Sequence, residues 1–121
     1  MPLERDPATL LDMVIAGQRI QEFIAGQDFA EFSADLKTQS AVILQILILG
    51  EGARRLSEET KQRIPEIPWS DMIRMRNILI HHYEGTDLKE VWEAASQDVP
   101  RLLAELEPLI QREDESAFRS S

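Results

Sequence analysis

Apolar positions recur at spacings of three and four over most of this chain, the period of an amphipathic helix. Asp6-Pro7 predicts the first start, with Asp6 as N-cap and Pro7 at the first helical position. Leu10, Val14 (or Met13), Gly17, Ile20 and Ile24 follow in register, and the helix runs to Ala25, where Gly26 ends it. Asp28 with Glu31 predicts a capping box and a second helix, with Phe29 and Phe32 as packing residues. That helix is expected to continue, bent near Asp35, into the apolar run Ala41 to Leu49. The run is too short to span a bilayer, which needs about 20 residues. Its β-branched residues admit a buried strand as the rival reading. Leu36-Lys-Thr-Gln-Ser before it and Glu51-Gly-Ala-Arg-Arg-Leu after it continue a helical pattern without a turn signal. The run therefore reads as the central, almost wholly buried helix of a bundle.

Ser57-Glu58-Glu59 caps a short helical turn, and Ile64-Pro-Glu-Ile-Pro68 is a stiff connector. Pro68 and Trp69 open the next helix, Gly85 stops it, and Asp87 with Glu90 makes another capping-box start. Leu88, Trp92, Ala95, Val99, Leu102, Leu106 and Leu109 then form a heptad-like seam along one long helix. Pro100 is expected to kink it, because proline lacks the donor for an intrahelical bond. The polar stretch from Glu113 onward predicts a frayed end. The expectation is an all-α, up-and-down bundle of four to five helices, one domain over residues 1–121 with 113–121 as its tail.

The helix after Pro68 carries Arg76 to Tyr83, a segment with both histidines and the only tyrosine of the chain. At about 100° per residue, with Arg76 at zero, Tyr83 falls near −20°, Asn77 near 100° and His81 near 140°. Met72, Met75, Ile78 and Leu79 cluster between about 200° and 320°, and His82, near 240°, points with them. His81 thus belongs to the polar face and His82 does not. Ile73 and Ile80, both near 50°, interrupt that polar face. A fully solvated face would not need them, so another subunit is the simplest cover.

Composition narrows the class. With 121 residues the chain is long enough for a sizeable core. Five glycines, six prolines and few β-branched runs favour helices. The absence of cysteine excludes disulfides and thiolate metal sites and fits a reducing cytoplasm. Met1 to Asp12 lacks the basic start and apolar block of a signal peptide. A net charge of −9 argues against a generic nucleic-acid coat, because phosphate binding is dominated by Lys and Arg. It leaves room for a small RNA site, since local arginines outweigh acidic surface more than a Debye length away, roughly 8–10 Å. It also suits a basic protein partner.

Arginine and histidine together, with no thiol and no carboxylate cluster beside them, suit phosphate chemistry that needs no metal. An imidazole, titrating near pH ~6.5, takes the proton from a ribose 2′-hydroxyl. A guanidinium holds the non-bridging phosphate oxygens and stabilises the charge that builds in the transition state. Asn77, one turn before His81, is placed to hold the imidazole or the substrate. The plainer account pairs Arg76 with a surface carboxylate and makes His81 a satisfied polar residue. Spacing alone favours that plainer account.

Arg76-Asn77-x3-His81-x-Tyr83, followed by Gly85-x-Asp87-x4-Trp92, closely resembles the HepT-like family of HEPN toxins, whose signature is Arg-x4-His-x-Tyr. Thr38-Gln39-Ser40-Ala41-Val42 and Leu49-Gly50-Glu51 resemble the family's central helix, and Trp69 with Met75-Arg76-Asn77 resembles its next one. The resemblance implies a helical bundle that dimerises through the motif helix, with a composite ribonuclease cleft where two motif helices meet. Arg76 and His81 would be the catalytic pair, supported by Asn77 and, as a further polar group, Glu51. No metal or other cofactor is implied. Such toxins belong to type VII-like toxin–antitoxin pairs. Their partner, the MntA-like nucleotidyltransferase antitoxin, uses ATP to adenylylate the motif tyrosine, here Tyr83. The added phosphate beside Arg76 would block RNA. The chain departs from the family at His82, where many relatives carry glycine. The alternative is a non-catalytic HEPN module that binds nucleotide or a nucleotidyltransferase.

Other residues have structural readings as well. Glu51 stands four residues before Arg55, the spacing of an ordinary helical ion pair. Arg54 and Arg55 can contact RNA backbone, although solvated charge is the commoner role. Trp69 and Trp92 can stack bases, but both occupy core registers. Adjacent histidines point apart on a helix and make a poor metal pair, which would need a spacing of four.

Overall fold

The structure, a computed structural model, describes the backbone of residues 5–82 and 85–119 and the side chains of 5–82 and 85–110. Every regular element among these is helical: α1 (Asp6–Ile24), α2 (Phe29–Ser33), α3 (Leu36–Arg55), α4 (Glu58–Arg63), α5 (Trp69–His81), α6 (Leu88–Glu93), a π-helical turn (Ala94–Asp98) and α7 (Val99–Arg119). Four long helical paths carry the bundle: α1, α3, α5 and the joined α6–α7. The all-α bundle expected from periodicity is the fold found. No helix among the described residues is long and apolar enough to cross a membrane.

The 20-residue α3 is the central element. It packs on α1 along one side and on α5 along another, and α1 also packs on α7. Met13, Ile20, Phe32, Val42, Leu79, Val91 and Leu106 are fully buried between these helices. At about 1.5–3 kcal/mol for each large side chain taken out of water, this cluster supplies the main driving force. Trp69 joins it, with its indole N–H directed at the carbonyls of Lys61 and Ile64. Trp92 stacks obliquely on Phe32 at 5.2 Å. Both tryptophans therefore serve packing.

Local signals place several boundaries where the sequence puts them. Gly26 adopts φ +79°, left-handed backbone that favours glycine, just after α1. Asp28 and Glu31 form a reciprocal capping box at α2. Asp35, however, is not a bend within one helix. It is the N-cap of α3, accepting from the backbone N–H and hydroxyl of Thr38 and from the side-chain amide of Gln27. So α2 and α3 are separate helices. Asp87 caps α6 through the N–H of Lys89.

Asp6 also departs from expectation. It lies inside α1, after an N-cap at Arg5, and its carboxylate makes no bond to its own helix start. Instead it is buried and accepts from the backbone N–H of Ser57, the Ser57 hydroxyl at 2.6 Å and the Thr60 hydroxyl at 2.5 Å. One carboxylate thereby ties the first turn of α1 to the start of α4.

The interruption expected at Pro100 takes the form of a π turn. The Val99 N–H reaches back five residues to the Ala94 carbonyl, widening the ladder just ahead of the residue that has no N–H to give. The helical path continues through it. The α3 run is also less enclosed than its apolar sequence suggests, because Leu44 is 55% exposed.

Candidate active site

Gly50 decides how α5 meets α3. A Cβ there would collide with the Cβ of Arg76 and lie 2.9 Å from the Met72 carbonyl oxygen. Its absence lets α5 sit directly on α3 and brings Arg76 beside the next residue, Glu51. Arg76 Nε lies 2.9 Å from Glu51 Oε2, both side chains being about three-quarters buried. Arg76 Nη1 donates to the side-chain oxygen of Asn77 at 2.8 Å. The Nη2 group has no hydrogen-bond partner among the described residues.

Glu51 gathers two further guanidiniums from its own helix. Arg54 donates through Nη2 at 2.8 Å and Nε at 3.2 Å, and Arg55 through Nε at 2.9 Å. Hydrogen bonding from Arg54 is the largest influence on the carboxyl. Partial burial opposes it, but Arg55 and the charges of Arg54 and Arg76 add to it, so the pKa falls to about 2. Glu51 is therefore a fixed anion across the whole physiological range.

Arg76, Glu51 and Arg55 line a cleft of about 360 Å³, walled by Thr9 and Asp12 of α1, by Ile48 and by Ile80. Ile80 is 48% exposed, whereas Ile73 is partly covered by the chain's own core. Of the two isoleucines on the polar arc, Ile80 is the one this chain leaves open.

His81 closes α5 and is exposed. It lines a second, shallower depression of about 460 Å³ with Ile73, Asn77 and Ile78. Asn77 links the two depressions: it holds Arg76 while facing the space beside His81. Within one chain Arg76 and His81 thus open on neighbouring but different hollows. His82 is not on the apolar face. It is the C-cap, at φ −134° and ψ 43°, and is exposed, because the helical register ends one residue before it. Tyr83 lies outside the described residues.

Sequence reasoning found Arg76, Asn77, His81 and Glu51 as separate candidates. It missed the convergence of three arginines on Glu51. The i+3 and i+4 spacings of Arg54 and Arg55 signalled two of them. The third arrives from a helix 25 positions later in the chain (76 against 51), which no local pattern encodes.

The family pattern described as "Ribonuclease HepT-like" matches residues 13–109. The chain is similar to a protein of Thermococcus cleftensis named "Probable ribonuclease HepT", 40% identical over 100 residues, covering 83% of this chain and 91% of that one. It is also similar to a "Putative RNase" of Methanocaldococcus jannaschii, 35% identical over 121 residues, covering 98% of this chain and all of that one. A second "Putative RNase" of the same organism is 34% identical over 100 residues, covering 83% and 92%. Among solved structures none gives a significant match. The match across most of the chain, together with the helical bundle that carries it, establishes that this chain belongs to the HepT-like ribonuclease family.

Proposed function

We propose that this protein is a cytoplasmic, metal-independent endoribonuclease, the toxin of a type VII-like toxin–antitoxin pair, with its site shared between two copies. The observation that carries the reading is the disposition of α5. A guanidinium held by Glu51 and an exposed imidazole sit on one helix, separated by an uncovered isoleucine. Packing α5 against its counterpart covers Ile80 and brings the Arg76 hollow of one copy to the His81 hollow of the other. Apolar burial drives this approach, and two-fold symmetry makes two such pairings at once.

In that cleft His81 takes the proton from a ribose 2′-hydroxyl. The 2′-oxygen then attacks the adjacent phosphorus, the bond to the 5′-oxygen breaks, and the leaving oxygen takes a proton from an imidazolium. Arg76 holds the non-bridging oxygens through the attack. Asn77 keeps the guanidinium oriented. A nucleotidyltransferase antitoxin of the MntA type silences the enzyme by joining Tyr83 to AMP. The phenol oxygen bonds the α-phosphorus of ATP as pyrophosphate leaves, and the added mass is about 329 Da per AMP, with a phosphate charge added to the motif.

His81→Ala tests the nuclease. Loss of RNA cleavage and of growth toxicity, with dimerisation retained, is the expected result. Cleavage that survives, with controls against contaminating nuclease, would remove His81 from the mechanism, and a wild type that does not cleave would favour a non-catalytic module that binds nucleotide or the nucleotidyltransferase.

A further inference from the structure

We infer that Arg54 and Arg55, held by Glu51, form a subsite beside Arg76 for the backbone phosphate next to the scissile one in a bound RNA. This rests on the ribonuclease reading above and names a part of the site that catalysis itself does not require.

The argument begins with stoichiometry. A helical ion pair needs one cation, and elsewhere the chain keeps to that: Glu59 pairs with Arg63 alone among the described residues. Glu51 holds three guanidiniums, and Asp12 is the other carboxylate lining the cleft, so three positive charges face two negative ones within a chain of net charge −9. Like charges gathered this way repel, and the two carboxylates do not offset all three. An arrangement with such a surplus suits an anion supplied from outside.

Geometry says where that anion lies. Arg54 and Arg55 are each 56% exposed, with their unbonded N–H groups open to solvent. Arg55 shares the cleft with Arg76, and Arg54, outside the cleft lining, is joined to it through Glu51. Glu51 takes Nε and Nη2 of Arg54 but only Nε of Arg55, leaving the remaining N–H donors of each guanidinium to match phosphate oxygens. A polynucleotide whose scissile phosphate sits on Arg76 carries a neighbouring phosphate in the direction of this pair. The ligand chemistry is a phosphodiester chain, and a free nucleotide offers the same group without the chain.

A single-stranded RNA methylated at every 2′-oxygen cannot be cleaved and serves as the probe. Its binding is followed by fluorescence anisotropy at several KCl concentrations for the wild type, R54Q/R55Q and R54K/R55K, each checked for helicity by circular dichroism. R54Q/R55Q is expected to bind about tenfold more weakly at low salt and to lose about one phosphate's worth of salt dependence. R54K/R55K should keep the salt dependence, because the charge remains. With cleavable RNA, KM should rise by a similar factor while kcat stays within a few-fold. Unchanged binding and salt dependence in R54Q/R55Q overturns the subsite, as does a fall in kcat with KM unchanged. If instead only ATP binding weakens, the pair serves a nucleotide and the inference is wrong. Should H81A still cleave, the nuclease reading falls, yet the uncleavable probe still decides whether Arg54 and Arg55 hold RNA.

Discussion

Arg76 Nε lies 2.9 Å from Glu51 Oε2, an ion pair that joins α5 to α3 beside the glycine that lets them touch. The pair fixes a guanidinium at the mouth of a cleft while Asn77 restrains its other end. What Glu51 contributes is therefore direction more than stability. The pair is partly solvated, so it is worth about 1 kcal/mol at most.

Glu51→Gln should accordingly leave the fold intact and damage turnover. The melting temperature is expected to fall by only a few degrees, roughly what 1 kcal/mol produces in a domain of this size. Loss of orientation at Arg76 should lower kcat by about tenfold to a hundredfold. Because the Glu51 carboxyl titrates at about 2, its support is complete above its ordinary value of 4.5 and is lost only as pH falls toward about 2. The acid side of the pH–rate profile should then be the same in wild type and E51Q between pH 5 and 8. A displaced acid limb in the variant would show that Glu51 titrates in catalysis.

Gly50→Ala sets two effects against each other. Alanine gains about 0.5–1 kcal/mol of helix propensity over glycine. Against this, the new Cβ strikes the Arg76 Cβ and approaches backbone at Met72, neither of which is a flexible chain end. Overpacking of this kind costs about 1–3 kcal/mol, so the net change should be destabilising. The shift of α5 should open the Arg76–Glu51 pair as well, and kcat should fall further than in E51Q. Urea denaturation and initial rates measure the two parts separately. A stabilised G50A with full activity would mean that the helices are not in contact there.

The sequence made legible whatever depends on neighbours within a turn or two. The Asp28–Glu31 box, the stop at Gly26 and the Arg55 spacing from Glu51 are of this kind. Asp35 was legible as a disturbance but not as a cap, because its partner Thr38 is not the Glu or Gln that completes a capping box and the helical pattern runs on across it. Asp6 was misassigned for a stronger reason: its partners lie 51 and 54 residues away, and their attraction outweighs a local cap. His82 shows the limit of a helical wheel, which holds only while the helix does. The motif residues were legible by resemblance, but the meeting of Arg76 with Glu51 was not, since it depends on a glycine whose function appears only when α5 is laid on α3.

The buried Asp6 carboxylate predicts a distinct acid sensitivity. Burial alone would raise its pKa, but hydrogen bonds from Ser57 and Thr60 outweigh that and hold it below its ordinary 3.8. A depressed carboxylate adds stability that is fully present above the unfolded value and disappears as pH falls through the folded one. Asp6→Asn removes the charge and turns one of the two acceptor oxygens into a donor, which should cost about 1–3 kcal/mol at neutral pH. The difference between wild type and D6N should shrink below pH 3.8. A gap that stays constant from pH 6 to pH 2.5 in urea titrations would assign the loss to packing alone.

A site shared between copies makes a prediction that one chain cannot imitate. Arg76→Ala and His81→Ala should each be inactive as homodimers. When the two proteins are mixed, unfolded and refolded together, half of the dimers pair one of each. Each such dimer holds one cleft with both the arginine and the imidazole intact, if the arginine of one copy works with the histidine of the other. Activity should then return to about a quarter of the wild-type level, as two-fold symmetry dictates. A cleft built from Arg76 and His81 of the same chain would return none, because every chain in the mixture lacks one of the two. Ile80→Glu supplies the matching control. The residue is 48% exposed, so the substitution should change monomer stability by only about 0.5 kcal/mol. Introduced into both variants, it should keep them monomeric by sedimentation and abolish the recovery. Recovery that persists in monomers could come from neither a shared nor a same-chain pairing of Arg76 with His81, and would refute the shared cleft.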